Sequence, residues 1–350
     1  MKKDNLSIIR ENIDKLDKKI INSLEQRFVL SLKVKKEKQL NNLELTNRTR
    51  EEEIYKKIYE LISNKEDIDF YVNIYKEIIK NSTLYQYKRF GLVGNNANTS
   101  FSKILHEYIA SKNNLKLVYD LIVVKDTSGL LKYYDKLKNG LYDGYNITIP
   151  FKNTCFLSAD SVSDAARACE AINTIVYKNN QYSGYNTDYL GFESLLEHYK
   201  INLENKNILI LGNGSAGNTV YQVIFSKTSA VTVAFKEDTT HKTLFYQSVF
   251  YSELKDYSKY DIIINTSSYS GVINYDWLDN KTLIDINYKE IIEVPKNRNI
   301  TYINGFYMLC KQAIYSQRIW FNNENIDMDE EDINILYEIY LKKYKSGTGK

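Results

Sequence analysis

From residue 5 to about 87 the chain carries neither glycine nor proline. Apolar residues recur at Leu6, Ile9, Ile13, Leu16, Ile20, Leu24 and Phe28, the spacing of one helical face. With no breaker before Asn41-Asn42, a first helix is predicted to run to about residue 39. At 1.5 Å per residue it would be roughly 50 Å long, more than a small domain can cover, so a partner chain is expected along it. Thr46 or Asn47 can cap a second helix beginning near Arg48, with Glu51, Glu52 and Glu53 placed favourably in its first turns. Asn64-Lys65-Glu66-Asp67 reads as a turn, and a third helix is predicted from about Ile68 to Tyr87.

Beyond Arg89 the pattern changes to short apolar strands alternating with helical stretches, which predicts a mixed α/β body. A strand at Arg89–Gly94 precedes a polar loop through Ser100 and Ser102, then a helix from about Lys103. Loop hydroxyls there suit either a carboxylate or a helix cap. A strand near Leu117–Val124 and a helix near Ser128–Lys138 follow. In Asn146-Ile-Thr-Ile-Pro-Phe-Lys152, Tyr145, Ile147 and Ile149 alternate with Asn146 and Thr148 until Pro150 ends the ladder. The run is predicted to present Lys152 at a strand's carboxyl end, where ligands of open α/β sheets sit. Later, the apolar strand Asn207–Leu211 leads into Gly212-Asn-Gly214-Ser-Ala-Gly217 and a helical run. This is a GxGxxG turn in strand–turn–helix context, with a helix amino terminus for a pyrophosphate.

The bulk numbers narrow the class. The 350 residues suggest two or three domains, and 43% hydrophobic content is ample for their cores. Lysine and arginine total 47 against 44 acidic residues, so neither nucleic acid nor an anionic membrane is expected as the main partner. The first residues lack the apolar stretch of a signal peptide, and no apolar run approaches a membrane span. Cys155, Cys169 and Cys310 have no disulfide or zinc spacing, so no metal is expected and a cytoplasmic setting is the default.

Charges on the helical head are more specific. Arg27 and Lys38 are 11 residues apart, within about 20° of one face. Arg10 lies off that face and roughly 25 Å away, and could share a pocket with Arg27 only across an antiparallel second copy. Arg50-Glu51 open the second helix, while Ser82 and Gln86 share a face of the third. A solvated charged face gives the same bare pattern. Together, Arg10, Arg27, Lys38, Arg50-Glu51 and Ser82-x-x-x-Gln86 resemble the all-helical chorismate mutase family over about residues 5–87. The resemblance implies that Arg10, Arg27 and Arg50 hold the carboxylates of chorismate. Lys38 and Gln86 would stabilise the developing charge on its ether oxygen during rearrangement to prephenate, with Glu51 and Ser82 on the hydroxyl and a carboxylate. It also implies a homodimer through the head, with Arg10 donated across. Asn47 stands where the family usually has aspartate.

In the body, "GLVGNNANTSFS", "GYNITIPFK", "EAINTI", "SGYNTDYLGF", "LILGNGSAG", "INTSSYSGV" and "GFYMLCKQA" resemble the shikimate dehydrogenase family over roughly residues 89–325. The resemblance implies Ser100 and Ser102 on the substrate carboxylate, Thr148, Asn173, Asp188 and Gln312 on ring hydroxyls, and Lys152 with Asp188 as the catalytic pair. Cofactor contacts are implied for Gly212, Gly214, Ser215, Ala216, Gly217, Lys236, Thr266, Gly305 and Met308. NADP is the family expectation. However, Phe235-Lys236-Glu237-Asp238 replaces the usual Asn-Arg-Thr, and Glu237 or Asp238 could serve a free ribose, so NAD is a rival. Asn96 and Thr99 replace a proline and a histidine of the first loop, Glu170 a glycine, and Val272 a methionine. Glu170 is expected to bring a charge near the substrate side.

The expected architecture is therefore multidomain. An all-α three-helix chorismate mutase-like domain occupies 1–88, and an α/β substrate-binding domain 89–190, completed by 305–345. A Rossmann-like NAD(P)-binding domain occupies 191–304. The expected ligands are small molecules, 3-dehydroshikimate/shikimate and chorismate/prephenate. Two alternatives stay open: the head as a non-catalytic dimerisation or ligand-sensing module, and quinate as the dehydrogenase substrate.

Overall fold

The computed structural model describes residues 4–41, 43, 48–237, 245–267, 273–286 and 298–345. The expected caps Thr46 and Asn47, and the departures Asp238 and Val272, lie outside them. Two compact units result, residues 1–89 with 116–118, and the remainder.

The head consists of α1 (Asn5–Leu40), α2 (Arg48–Leu61) and α3 (Ile68–Leu84). Ile58, Val72 and Ile79 form its small core, packed by Ile54, Tyr55, Ile62 and Ile68. Phe28 of α1 stacks on Tyr85 at 4.6 Å between ring centroids. The amino-terminal half of α1 contributes little to this core. Leu6, Ile9, Ile13, Leu16 and Ile20, in register on one face, are each at least half exposed.

The body opens with β1 (Lys88–Gly94), α4 (Ser102–Lys112), β2 (Leu117–Val123), α5 (Thr127–Lys138) and β3 (Gly144–Ile147). It continues through α6 (Lys152–Ser158), β4 (Ser161–Val162), α7 (Asp164–Cys169), β5 (Thr174–Lys178), β6 (Gln181–Tyr185) and α8 (Thr187–His198). These strands form a mixed sheet in the order β2-β1-β3-β5-β6-β4. A second sheet contains β7 (Ile208–Leu211), β8 (Val231–Phe235), β9 (Ser248–Phe250), β10 (Ile262–Asn265), β11 (Lys281–Asp285) and β12 (Ile300–Asn304). After β7 comes α9 (Ser215–Phe225), and α10 (Phe306–Phe321) and α11 (Glu330–Lys345) close the chain. All neighbours in this sheet are parallel, in the order β12-β11-β10-β7-β8-β9. That order reverses between β7 and β10, the switch point at which doubly wound sheets bind dinucleotides. Among the described residues no helix is long and apolar enough to cross a membrane.

Two local expectations are corrected. The strand expected through Ile149 ends at Ile147, and Ile149 is 61% exposed instead of facing the core. Asn146, expected on a polar face, is buried, because a central strand is covered on both sides. Its amide is satisfied there by Thr174 and Ser316 at 3.0 and 2.9 Å, and its oxygen by the Tyr119 hydroxyl at 2.7 Å. Lys152 is accordingly the first residue of α6 and not a strand terminus.

Candidate functional site

A cavity of about 190 Å³ opens at the carboxyl ends of β1 and β3. Lys152 enters it from the start of α6 and Asp188 from the first turn of α8. Their Nζ and Oδ2 atoms are 2.6 Å apart, with both side chains less than one-fifth exposed. Asn186 fixes the start of α8 as its cap, accepting from the Tyr189 amide at 3.1 Å. Asn173 holds the next residue, its Oδ1 accepting from the Thr187 amide at 2.7 Å. The nearby Cys169 thiol is pushed up to about 12 by burial and by Asp188, so it stays neutral beside the pair.

The other expected substrate contacts converge on the same cavity. Ser100 and Ser102 face it with hydroxyls 2.8 Å apart, and Ser100 Oγ also accepts from the Ser102 amide at 3.1 Å. Thr148 and Asn173 line it from the ends of β3 and of the loop before β5. Gln312 lines it from α10 while donating to the Leu309 carbonyl at 2.9 Å. Ala216, Gly305 and Met308, the residues expected at a cofactor, border the same space as the expected substrate contacts. Asn146 and Ile286 also line it without having been singled out in the sequence. The polar Asn146 inside an apolar strand was the available signal. Glu170 ends α7 in the left-handed region at φ 48°, is exposed, and is not among the residues that line the cavity.

At the β7–α9 turn, Gly212 adopts φ +113°, which glycine alone takes without strain. A Cβ on Gly217 would stand 2.1 Å from the Gly212 carbonyl oxygen, so helix and turn meet there only through glycine. A Cβ on Gly214 would meet nothing within 4 Å. The buried Ser215 hydroxyl at the start of α9 has no partner among the described residues. Open space, an unsatisfied hydroxyl and a helix amino terminus fit a pyrophosphate. Thr266 closes the floor, donating to the Leu211 carbonyl at 2.9 Å. Lys236 is exposed just beyond β8, and Glu237 accepts a hydrogen bond from the Ser252 hydroxyl.

The head has its own cavity, about 380 Å³, lined by Arg27 and Lys38 of α1, Arg50 and Glu51 of α2, and Ser82 and Gln86. Arg27 donates to the Ser82 hydroxyl, and Lys38 Nζ to Gln86 Oε1 at 3.0 Å. Arg50 also pairs with Glu53 at 2.8 Å on the exposed side. Arg10 is exposed on α1 and does not line this cavity.

Fold and site define a two-sheet α/β protein of the dinucleotide-binding class, preceded by a helical domain with a cationic pocket. Residues 92–175 match the family model for the shikimate dehydrogenase substrate binding domain, and residues 9–87 that for chorismate mutase type II. The shikimate dehydrogenase (NADP(+)) of Clostridium beijerinckii is 30% identical over 272 residues, covering 73% of this chain and 99% of that protein. A solved chorismate mutase/shikimate 5-dehydrogenase fusion protein from Clostridium acetobutylicum is 26% identical, with a TM-score of 0.65 over 74% of this chain and 99% of that one. Shikimate dehydrogenase 1 from Peptoclostridium difficile is 27% identical, with a TM-score of 0.61 over 73% and 99%. The chain belongs to the shikimate dehydrogenase family.

Proposed function

We propose that the body reduces 3-dehydroshikimate reversibly to shikimate with NADP, and that the head rearranges chorismate to prephenate. The observation that carries the first half is the Lys152–Asp188 pair, at 2.6 Å inside a cavity faced by Ser100, Ser102, Thr148, Asn173 and Gln312. Bound NADPH supplies the hydride. The protein's task is then to hold the ketone and protonate its oxygen. The two serines receive the ring carboxylate, while Thr148, Asn173, Gln312 and Asp188 take the hydroxyls. Lys152 donates its proton to the ketone oxygen, and Asp188 keeps the ammonium aimed at it. In the reverse direction Lys152 accepts the hydroxyl proton.

Ser215, Gly214 and the α9 amino terminus would receive the pyrophosphate, with Gly212, Ala216, Gly217 and Thr266 shaping the turn beneath it. Gly305 and Met308 would border the nicotinamide. Lys236 would meet a 2′-phosphate as a point charge. Two observations favour NADP over NAD: the Clostridium relative is an NADP(+) enzyme, and Glu237 is engaged by Ser252.

In the head, Arg27 and Arg50 would hold the two carboxylates of chorismate, and Glu51 and Ser82 its remaining polar groups. Lys38, already bonded to Gln86, would face the ether oxygen as the bond breaks. Arg10 would complete the pocket from a second copy. On this reading the chain divides into 1–88, 89–190 with 305–345, and 191–304.

The test is one preparation with two assays. Lys152→Ala should lower kcat for shikimate oxidation by about a hundredfold or more, the ordinary worth of a positioned acid–base group. It should leave prephenate formation intact, and Arg27→Ala should do the converse. A dehydrogenase unaffected by Lys152→Ala refutes the first assignment, and a wild type that forms no prephenate refutes the second.

A further inference from the structure

Residues 169–173, the loop that delivers Asn173 to the cavity, are held in an unusual way. Four of their carbonyls accept hydrogen bonds from four asparagine amides, each on a different element. Asn218 of α9 donates to the Cys169 carbonyl at 2.7 Å. Asn153 of α6 donates to Glu170 at 2.6 Å, and Asn186, the cap of α8, to Ala171 at 3.1 Å. Asn146 of β3 donates to the Asn173 carbonyl at 3.2 Å. Only the NH₂ end of an asparagine can meet a carbonyl, so the orientation of each amide is fixed by its partner.

Three of these clamps are close in sequence to residues that line the substrate cavity. Asn153 follows Lys152, Asn186 precedes Asp188 by two residues, and Asn146 precedes Thr148 by two. Asn218 is different. It lies one residue beyond Gly217 in the first turns of α9, and its backbone amide donates to the Gly214 carbonyl at 2.9 Å. Its side-chain oxygen is steadied from the next turn by Gln222 at 3.4 Å. Among the four amides, only this one comes from the helix whose amino terminus fits the pyrophosphate.

We propose that Asn218 is a positioning residue that couples occupation of the α9 amino terminus to the setting of Asn173 and the Lys152–Asp188 pair, so that NADP(H) and shikimate bind with positive coupling. The inference rests on the dehydrogenase reading above. A ligand seated on Ser215 and Gly214 restrains the first turn of α9. Through Asn218 that restraint reaches the Cys169 carbonyl, and through the loop it reaches Asn173, whose oxygen holds the Thr187 amide next to Asp188. Coupling of this kind is reciprocal, so shikimate must tighten NADPH by the factor by which NADPH tightens shikimate.

The experiment is calorimetric titration of the full-length protein with shikimate, with and without saturating NADPH. Both ligands are reduced, so no turnover intervenes. The wild type should bind shikimate several-fold more tightly with NADPH present. Asn218→Ala, and the isosteric Asn218→Asp that lacks the donor, should reduce that ratio by about fivefold, the scale of one neutral hydrogen bond. Each separate affinity should stay within about twofold. Amide exchange of residues 169–173 should slow on adding NADPH in the wild type and not in the variants. An unchanged ratio in both variants, or a wild-type ratio of one, overturns the coupling. A variant that loses both affinities alike while keeping the ratio assigns Asn218 a merely structural role and also overturns it. A wild type that binds NADPH but not shikimate overturns the functional reading instead.

Discussion

His106 is fully enclosed, its ring stacked on Tyr119 at 4.4 Å and its carbonyl bonded to the Gln317 amide at 2.8 Å. Removal from water penalises the imidazolium, so burial lowers the pKa from 6.5 to about 3. Between those values the unfolded chain binds a proton that the folded chain does not, and stability rises with pH. The contribution is complete above about pH 6.5 and is lost as pH falls toward 3, at up to about 1.4 kcal/mol per unit. Denaturant unfolding at pH 7, 6 and 5 should show this slope in the wild type and a shallower one in His106→Gln. Equal slopes would remove His106 as the cause. The same enclosure explains why such residues were hard to read beforehand. His106, Asn146, Ser316 and Gln317 are polar residues in apolar stretches, and their partners lie far away in sequence: Asn146 meets Ser316 170 residues on, and His106 meets Gln317 211 residues on. Local pattern assigns a polar position to a surface, and only tertiary packing overrides that.

At the scale of elements, the β7–α9 turn separates what the fold needs from what the ligand needs. Gly217→Ala must push the Gly212 carbonyl away, and should cost about 2–3 kcal/mol of stability. Gly214 has an ordinary φ of −70° and empty space beyond its Cα. Gly214→Ala should therefore leave stability within about 0.5 kcal/mol while weakening NADP by about tenfold or more, since the new methyl occupies the pyrophosphate's approach. Thermal melts and NADP titration of the two variants check this together, and a Gly214→Ala protein with wild-type NADP affinity would place the pyrophosphate elsewhere. This turn was legible because its strand, glycines and helix are contiguous in the chain. The long helices were legible for the same reason, an uninterrupted period without breakers. The end of β3 was not, because alternation continues through Ile149 although the chain has already left the sheet. The asparagine clamps Asn153, Asn186 and Asn218 carried no sequence signal either, since a single asparagine in a loop or helix gives no period and its carbonyl partner is any residue's.

For the whole molecule, the decisive feature is the uncovered face of α1. Five aliphatic residues from Leu6 to Ile20 are each half or more exposed, on a 36-residue helix whose other half builds the cationic cavity. An apolar stripe of that length is unfavourable in water unless a surface covers it. A second copy packed antiparallel would cover it with its own stripe, an isologous contact that closes on itself. The same packing would carry Arg10 to the partner's cavity, supplying a third arginine to Arg27 and Arg50. The two halves of this proposal are linked and can be tested in one mixture. Arg10→Ala and Lys38→Ala should each abolish prephenate formation as homodimers. In a heterodimer of the two, one site collects both changes and the other collects neither. Equal amounts, unfolded together and refolded, should therefore recover about one quarter of the wild-type mutase activity, because half the dimers are mixed and half their sites are intact. Shikimate oxidation should stay at its full value throughout, since neither residue belongs to the body. Recovery would require both the dimer and the donated arginine. A mixture as inactive as its components would show that Arg10 serves the cavity of its own chain or none.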